Sequence, residues 1–264
     1  MTRPNPVLVG VIHLPPLPGS PRYAGDLDAS IERTGREARL LVEAGFDGVV
    51  VENFGDTPFF PGSVEPITVA AMTACALAAR EAAPQAALGI NVLRNDAEAA
   101  LAVAVVARAD FIRINVHSGA RVTDQGVVEG AAHRTLRQRR ALGAVAVRIH
   151  CDVDVKHSAP LAARPIGEEA HDLAARGMAD AVLVTGSGTG RGVAEADLAA
   201  VLAAVHVPVY VASGVTEETL SAVRRAHGVI VGSTLRKSGL AGDPIDPDTA
   251  RRFADAFRAS RAGA

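Results

Sequence analysis

TGSGTG at residues 185–190, SGVT at 213–216 and GST at 232–234 each follow a short apolar run. Three successive predicted strands therefore end in turns made of glycine and hydroxyl residues. Glycine lets the backbone approach an anion closely. In a (β/α)₈ barrel, the loops after the seventh and eighth strands often build a phosphate site. The pattern favours a barrel that holds a phosphorylated small molecule.

Short β-branched runs alternate with longer helical stretches along the whole chain. The predicted strands are 7–12, 48–51, 87–91, 111–115, 145–150, 181–184, 208–211 and 229–231. The predicted helices are 28–44, 65–82, 97–107, 130–142, 167–176, 195–204, 217–225 and 248–260. Eight strand–helix units predict an α/β fold, a (β/α)₈ TIM barrel forming a single domain over residues 1–264. A doubly wound open sheet is the alternative, but the regular units and the late glycine loops favour the closed barrel.

Composition agrees with a barrel and excludes several classes of function. Hydrophobic residues make up 48% of the 264 residues and aromatic residues only 3%. A core of Val, Ala, Leu and Ile suits parallel strands that are buried on both faces. A formal net charge of −2 argues against a nucleic-acid polymer or an anionic membrane as a bulk electrostatic partner.

Cellular location is predicted from the cysteines and the apolar runs. Cys75 and Cys151 are too few for a disulfide framework, and no apolar leader precedes the first strand, so we expect a cytoplasmic protein. No apolar run approaches the length of a transmembrane helix, which leaves peripheral association as the conceivable membrane contact.

Ionisable and amide side chains are concentrated where the predicted strands end, which is where barrel active sites lie. The first five strands contribute the candidate catalytic groups, and the last three contribute the candidate phosphate ligands. The catalytic candidates are His13, Glu52, Asn91, Arg113, Asn115, His117, Asp152 and Lys156, with Asp124 reaching in from a long loop. The phosphate candidates are Thr185, Gly186, Gly188, Gly190, Ser213, Gly214, Gly232 and Ser233.

Strand parity sharpens this assignment. Arg113, Asn115 and His117 share one face if their strand stays extended, and so do alternate residues from Arg148 to Lys156. Charges that point into a barrel must be paired or functional. The structural alternative is an internal salt bridge from Arg113 to Glu52 or Asp152.

Asp152 and Glu52 are the natural acid/base candidates, and His13, His117, His150 or His157 could relay protons. Two roles are open for Lys156. A desolvated lysine can act as a Schiff-base nucleophile. Pairing with a phosphate or carboxylate of the substrate is favoured over that role.

No cofactor is assigned. Glu52, Asn91, His150 and Asp152 would suit a divalent cation, which leaves a metal conceivable, but the chain lacks paired metal-ligand motifs. The Gly-x-Gly-x-Gly run at 186–190 has the wrong spacing and place for a dinucleotide fingerprint.

Long loops are predicted to cover the barrel mouth at residues 13–26, 53–63 and 117–128. The second carries Phe54, Phe59 and Phe60. Three phenylalanines so close together form an apolar patch. We expect this patch to be buried by a second subunit in a homo-oligomer or by closure over the mouth.

The chain resembles the BtpA/SgcQ family along almost its whole length. The segments that carry the resemblance are VIHLPPLPGSP (11–21), VENFGD (51–56), NVLRND (91–96), FIRINVHSGA (111–120), TDQG (123–126) and DVDVKH (152–157). The resemblance implies a phosphate-binding barrel, similar to the ribulose-phosphate-binding barrels. It also implies two possible contexts, photosystem I biogenesis at a membrane and sugar-phosphate metabolism, and it brings no assigned reaction.

Two classes of function follow. The first is an enzyme that acts on a phosphorylated sugar or nucleotide-like metabolite by carboxylate acid/base chemistry, as a lyase, isomerase or glycosyl hydrolase. The second is a non-catalytic biogenesis or stability factor for membrane protein complexes. A ring of ionisable strand ends favours the enzyme, since a scaffold needs an apolar docking patch instead.

Overall fold

Eight parallel strands close into a barrel in the computed structural model, which describes residues 7–186 and 192–262. In chain order the strands are β1 (Leu8–His13), β2 (Gly48–Glu52), β3 (Ala87–Asn91), β4 (Phe111–Ile114), β5 (Ala120–Thr123), β6 (Gly126–Glu129), β7 (Arg148–Asp154), β8 (Ser158–Pro160), β9 (Ala181–Val184), β10 (Val209–Val211) and β11 (Gly228–Val231). The barrel order is β1-β11-β10-β9-β7-β4-β3-β2, so the first and last strands are neighbours. The predicted TIM barrel is confirmed.

Eight helices are described between and after the strands. They are α1 (Leu27–Glu43), α2 (Pro66–Ala82), α3 (Ala97–Val106), α4 (Ala132–Ala141), α5 (Ile166–Ala175), α6 (Glu195–Ala204), α7 (Leu220–Val223) and α8 (Pro247–Ala262). Asp26 and Asp96 cap α1 and α3, since each carboxylate accepts a hydrogen bond from a first-turn N–H. Pro66 opens α2, where its missing N–H costs nothing.

Three predicted elements differ from those observed. The predicted loop at 117–128 contains the hairpin of β5 and β6, and β8 joins it in a three-stranded antiparallel sheet. The strand predicted at 145–150 begins at Arg148 and runs to Asp154, because Val145 lies in an exposed turn. The predicted helix 217–225 is a 3₁₀ turn, Glu217–Thr219, followed by the single turn of α7.

The barrel has two apolar layers. Alternate side chains of each strand point outward and pack against the helices, as Val49 and Ile112 do. The other parity fills the interior with a smaller cluster that includes Phe111 and Tyr210. Gly89 makes room for this filling, since a Cβ on it would stand 2.3 Å from the Phe111 ring. The packed interior forms the floor beneath the barrel mouth.

Candidate active site

A small cavity of about 30 Å³ opens at the C-terminal ends of the barrel strands. One part of its wall carries charged and imidazole groups: His13, Glu52, Arg113 and Lys156. The other part is small and glycine-rich: Ala212, Ser213, Gly214, Val215, Gly232, Ser233 and Thr234, with Ala241 nearby. Six of the eight barrel strands therefore contribute predicted residues to one cavity. They are the first, second, fourth, fifth, seventh and eighth.

The glycine-rich wall is formed by the loops after β10 and β11. Thr234 ties the two loops together, because its hydroxyl donates to the carbonyl of Val215 over 2.8 Å. Gly214 has a φ of +62°, a conformation in which other residues are strained. Within the described residues, the backbone N–H groups of Gly214 and Ser233 donate to no other group. Two backbone donors are thus available at the cavity wall.

The other predicted phosphate ligands do not line this cavity. The hydroxyl of Thr185 donates to the carbonyl of Asp154, so it is engaged in holding the backbone. Gly186 is buried directly after it. Gly188 and Gly190 lie outside the described residues.

Glu52 lies at the end of β2 and is buried. Asn91, at the end of the adjacent β3, donates to Glu52 Oε2 over 2.7 Å and so fixes the carboxylate. Arg113 Nη1 lies 3.9 Å from the same oxygen. Burial would raise the pKa of Glu52, but His13, Arg113 and Lys156, together with the bond from Asn91, hold it below its ordinary value. Glu52 is therefore an ionised proton acceptor at neutral pH.

His13 ends β1 beside Glu52. Its Nε2 is 3.9 Å from Glu52 Oε1, and its ring centroid is 4.5 Å from that of Phe54. Burial lowers the pKa of His13 to about 3, against the opposing effect of the Glu52 charge. The imidazole is consequently neutral at pH 7.

Arg113 and Asp152 form a buried ion pair from β4 and β7. Arg113 Nη2 lies 3.1 Å from both Asp152 oxygens, and Nε lies 3.3 Å from Oδ2. Asn115 also donates to Oδ2, over 2.5 Å. The salt bridge expected as the structural alternative is therefore present for Asp152. Asp152 does not line the cavity that contains Glu52 and instead lines, with Asn115, a second and larger cavity beside α5.

Lys156 adds a second cation to the cavity wall, following β7. Burial lowers the pKa of its ammonium group, while the Glu52 charge opposes that effect. Arg94 braces this segment, since its Nη2 donates to the Lys156 carbonyl over 2.7 Å. Among the described residues, no carboxylate forms an ion pair with Lys156, so its charge is available to a ligand.

Sequence reasoning missed Arg236, which is 2% exposed behind the glycine-rich wall. Its guanidinium donates to the carbonyls of Gly232, Val11 and Asp243. Burial lowers its pKa to about 10, so the group stays charged. Arg236 thus places a positive charge under the loop after β11, in surroundings that also contain Glu37 and Arg33. The available sequence signal was an arginine three residues after a predicted phosphate ligand, Ser233.

Several predicted residues lie away from the cavity that Glu52 lines. The Nε2–H of His117 donates to the Gly177 carbonyl over 2.8 Å. The regular strand alternation does not reach His117, because β4 ends at Ile114. His150 is stacked inside the barrel between Phe111 and Tyr210. Asp124 is exposed at the β5–β6 turn, where Gln125 contacts it.

The predicted shared face of β7 is interrupted before Asp154. Asp152 pairs with Leu183 and Asp154 with Val184, so Val153 is an extra residue that forms a β-bulge. The bulge turns Asp154 outward, where it pairs with Arg121. The expectation that Arg148 to Lys156 share one face is wrong beyond Asp152.

The four residues predicted to suit a divalent cation do not form a cluster. Glu52 is bonded to Asn91, Asp152 to Arg113, and His150 lies among aromatic rings. In the part of the chain that the structure describes, no group of three or more His, Cys, Asp and Glu stands in a metal-binding arrangement. No helix in that part is long and apolar enough to cross a bilayer.

Fold and cavity together define a (β/α)₈ barrel with a charged, glycine-walled site at the C-terminal mouth. The chain belongs to the BtpA family, whose model matches residues 3–259. It is 44% identical over 257 residues to the photosystem I biogenesis protein BtpA of Synechocystis, covering 96% of this chain and 88% of that protein. An uncharacterised protein of Thermococcus kodakarensis is 42% identical, with 94% of each chain covered.

Solved structures of barrel enzymes share the architecture at low identity. Thiamine phosphate pyrophosphorylase from Pyrococcus furiosus superposes with a TM-score of 0.60 and 13% identity, covering 97% of this chain and 96% of that chain. The tryptophan synthase alpha chain from Legionella pneumophila superposes with a TM-score of 0.58 and 13% identity, covering 98% of this chain and 92% of that chain. At these low sequence identities, the structural similarity establishes the fold alone.

Proposed function

We propose that this protein is an enzyme that acts on a phosphorylated sugar or nucleotide-like metabolite by carboxylate proton transfer. The observation that carries the proposal is the shared cavity of Glu52 and the Ser213–Gly214 and Gly232–Ser233 loops. An ionised carboxylate and a set of backbone donors with adjacent positive charge suit one ligand that has a reactive part and an anionic part.

The phosphate is assigned to the glycine-rich wall. Backbone N–H groups of Gly214 and Ser233 are available there, and Arg236 supports the loop with its charge. Lys156 supplies an ammonium group from the other part of the wall. The excess of cations over carboxylates around the cavity favours an anionic ligand. One structural neighbour, thiamine phosphate pyrophosphorylase, is named for a phosphorylated compound, which agrees with this assignment.

The two predicted acid/base carboxylates have different surroundings. Glu52 lines the cavity and has one oxygen without a close donor, so we assign the proton transfer primarily to it. Asp152 holds Arg113, and its acid/base role stays a prediction. Asn91 is a positioning residue for Glu52, and Asn115 has the same role for Asp152. His117 and Asp124 have no part in the proposed chemistry.

Thermal stability in the presence of ligands tests the binding half of the proposal. Inorganic phosphate, ribose 5-phosphate and glucose 6-phosphate should raise the melting temperature, while ribose and glucose should not, because a ligand of the native state stabilises it by mass action. Ser233→Asp should abolish the shift by placing a carboxylate in the anion site. Ser221→Asp, on the exposed face of α7, adds the same charge elsewhere and should preserve the shift. Equal shifts in both variants would contradict the assigned phosphate site.

A biogenesis factor remains the second candidate, and the name of the Synechocystis relative is the observation that favours it. Phe60 is 49% exposed in the predicted interface loop, whereas Phe54 packs on His13. A homo-oligomer and a cytoplasmic location stay predictions as well. Light scattering of the wild type and of Phe60→Ser measures the oligomeric state. A dimer in the wild type that is lost in the variant would support the homo-oligomer.

A further inference from the structure

The orientation of the His13 ring is fixed by a backbone donor. The N–H of Gly242 donates to His13 Nδ1 over 3.3 Å. A ring nitrogen that accepts a hydrogen bond carries no proton, so in the neutral imidazole the hydrogen is on Nε2. The donor itself is anchored, since Arg33 of α1 donates to the Gly242 carbonyl over 2.8 Å. The fold thus selects one tautomer of His13.

Close packing holds the ring in place. Phe54 covers one side, and a Cβ on Gly232 would stand 3.0 Å from His13 Cε1. The ring is 5% exposed. Nearby Arg236, Lys156 and Arg113 disfavour a second proton on it, in addition to the larger effect of burial. His13 is therefore a hydrogen-bond donor with no positive charge.

The donor of His13 and the carboxylate of Glu52 stand side by side. Nε2 and Glu52 Oε1 are 3.9 Å apart, too far for a hydrogen bond between them and close enough to contact adjacent atoms of one bound molecule. Both residues line the cavity that holds the proposed phosphate site. A neutral imidazole beside a carboxylate base is an arrangement that polarises a carbonyl while a neighbouring carbon loses a proton.

We propose that the substrate is a phosphorylated aldose or ketose, from which Glu52 removes a proton next to the carbonyl while His13 Nε2–H donates to the carbonyl oxygen. The inference rests on the proposed function and deepens it by naming the substrate class. His13 is assigned as a catalytic residue on this basis.

The step balances without a co-reactant. Glu52 accepts the proton of the C–H bond, and the electron pair of that bond forms a carbon–carbon double bond with the carbonyl carbon. The carbonyl oxygen takes up the displaced π electrons as an enediolate, which His13 and the Lys156 ammonium stabilise. Return of the proton to the first carbon restores the substrate. Delivery of the proton to the former carbonyl carbon gives the isomer, with the hydroxyl proton of the first carbon passing to the former carbonyl oxygen so that a new carbonyl forms at the first carbon.

The carboxylate content of the cavity distinguishes this chemistry from glycoside hydrolysis. Glycosidases generally place two carboxyl groups on either side of the scissile bond. Glu52 is the single carboxylate among the described residues that line the cavity. One base with one neutral donor suits proton transfer at carbon.

Hydrogen exchange in D₂O tests the step directly. The wild type is incubated with ribose 5-phosphate, ribulose 5-phosphate, glucose 6-phosphate, fructose 6-phosphate and glyceraldehyde 3-phosphate, and proton NMR follows loss of the C–H signal next to the carbonyl. At least one compound should exchange faster than without protein. Glu52→Gln should lower that rate about 10²–10⁴-fold. His13→Asn, which cannot place an N–H at the Nε2 position, should lower it about 10²–10³-fold.

His13→Gln is the matched control, because its longer amide can place an N–H near the Nε2 position. It should exchange faster than His13→Asn, because it partly restores the donor, but more slowly than the wild type. A phosphorylated hydroxamate, phosphoglycolohydroxamate, mimics the enediolate and should stabilise the wild type more than phosphate does, with the excess lost in His13→Asn. All three variants should keep the thermal shift with inorganic phosphate.

The outcomes separate the two proposals. Exchange at the wild-type rate in His13→Asn would overturn the role of His13. Absence of exchange with all five compounds, while phosphate still stabilises the protein, would overturn the substrate class and leave the phosphate site standing. Loss of phosphate stabilisation in the wild type would overturn both.

Discussion

Acid should destabilise this protein, and His150→Leu should remove a defined part of the effect. His150 is 1% exposed, its ring is stacked 4.3 Å from that of Phe111, and neither ring nitrogen has a partner among the described residues. Burial lowers its pKa from 6.5 to about 3. Between those values the unfolded chain binds a proton that the folded chain does not, so stability falls as pH falls.

The magnitude follows from the two pKa values. At pH 5 the His150 contribution to the free energy of unfolding should be about 2 kcal/mol below its value at pH 7. His13 has a similarly lowered pKa and should add a comparable loss. His150→Leu removes one of these titrations while filling a similar volume, so the variant should lose about 2 kcal/mol less than the wild type over this range.

Urea unfolding at pH 7, 6 and 5 measures the effect, because the linear extrapolation gives the free energy of unfolding at each pH. His133→Gln, an exposed position on α4, is the matched histidine control and should track the wild type. The reasoning would be refuted by a His150→Leu variant that loses as much stability between pH 7 and pH 5 as the wild type does.

Arg113→Ala should cost about 3–5 kcal/mol in urea unfolding, because it leaves Asp152 buried without its cation. Adding Asp152→Leu should recover most of that loss, and no recovery would contradict the pairing. Gly89→Ala should cost about 1–3 kcal/mol, since the new methyl meets the Phe111 ring, while Gly62→Ala, with open space around it, should stay within about 0.5 kcal/mol. The two buried cysteines should react with Ellman's reagent only after unfolding, and fast reaction of the native protein would contradict their burial.

Periodicity was sufficient to predict the barrel, because each strand is an apolar run separated from the next by an amphipathic or Ala-rich helix. The clustering of Glu52 with Ser213 and Ser233 also followed from topology, since parallel strands of a barrel end at one rim. These inferences need only the order of elements. They do not need the position of any side chain.

Side-chain direction was predictable only where the strand stays regular. The bulge at Val153 turns the side chain of Asp154 to the other face of the strand. His117 lies beyond the end of β4 at Ile114, so the alternation of the strand does not set its side-chain direction. The types of residue at these positions indicate neither the bulge nor the early end of the strand. The antiparallel sheet of β5, β6 and β8 was missed for a related reason, since its pairing with β8 joins residues more than 30 positions apart.

The role of Arg236 illustrates a different limit. A lone arginine in a C-terminal loop looks like a surface charge in a sequence, since arginine is mostly exposed. Its burial depends on three carbonyls, one of them 225 positions away on β1. Only the closed barrel brings these groups together.

That long bond also bears on how the protein is made. Val11 is synthesised 225 residues before Arg236. Until then β1 lacks its neighbour β11, and its open edge is exposed to other unfinished chains. The loop after β11, to which we assign the phosphate, is still unsynthesised at that stage. Ligand at that loop therefore cannot assist early folding, and a nascent chain needs other protection for the edge of its first strand until β11 has been synthesised.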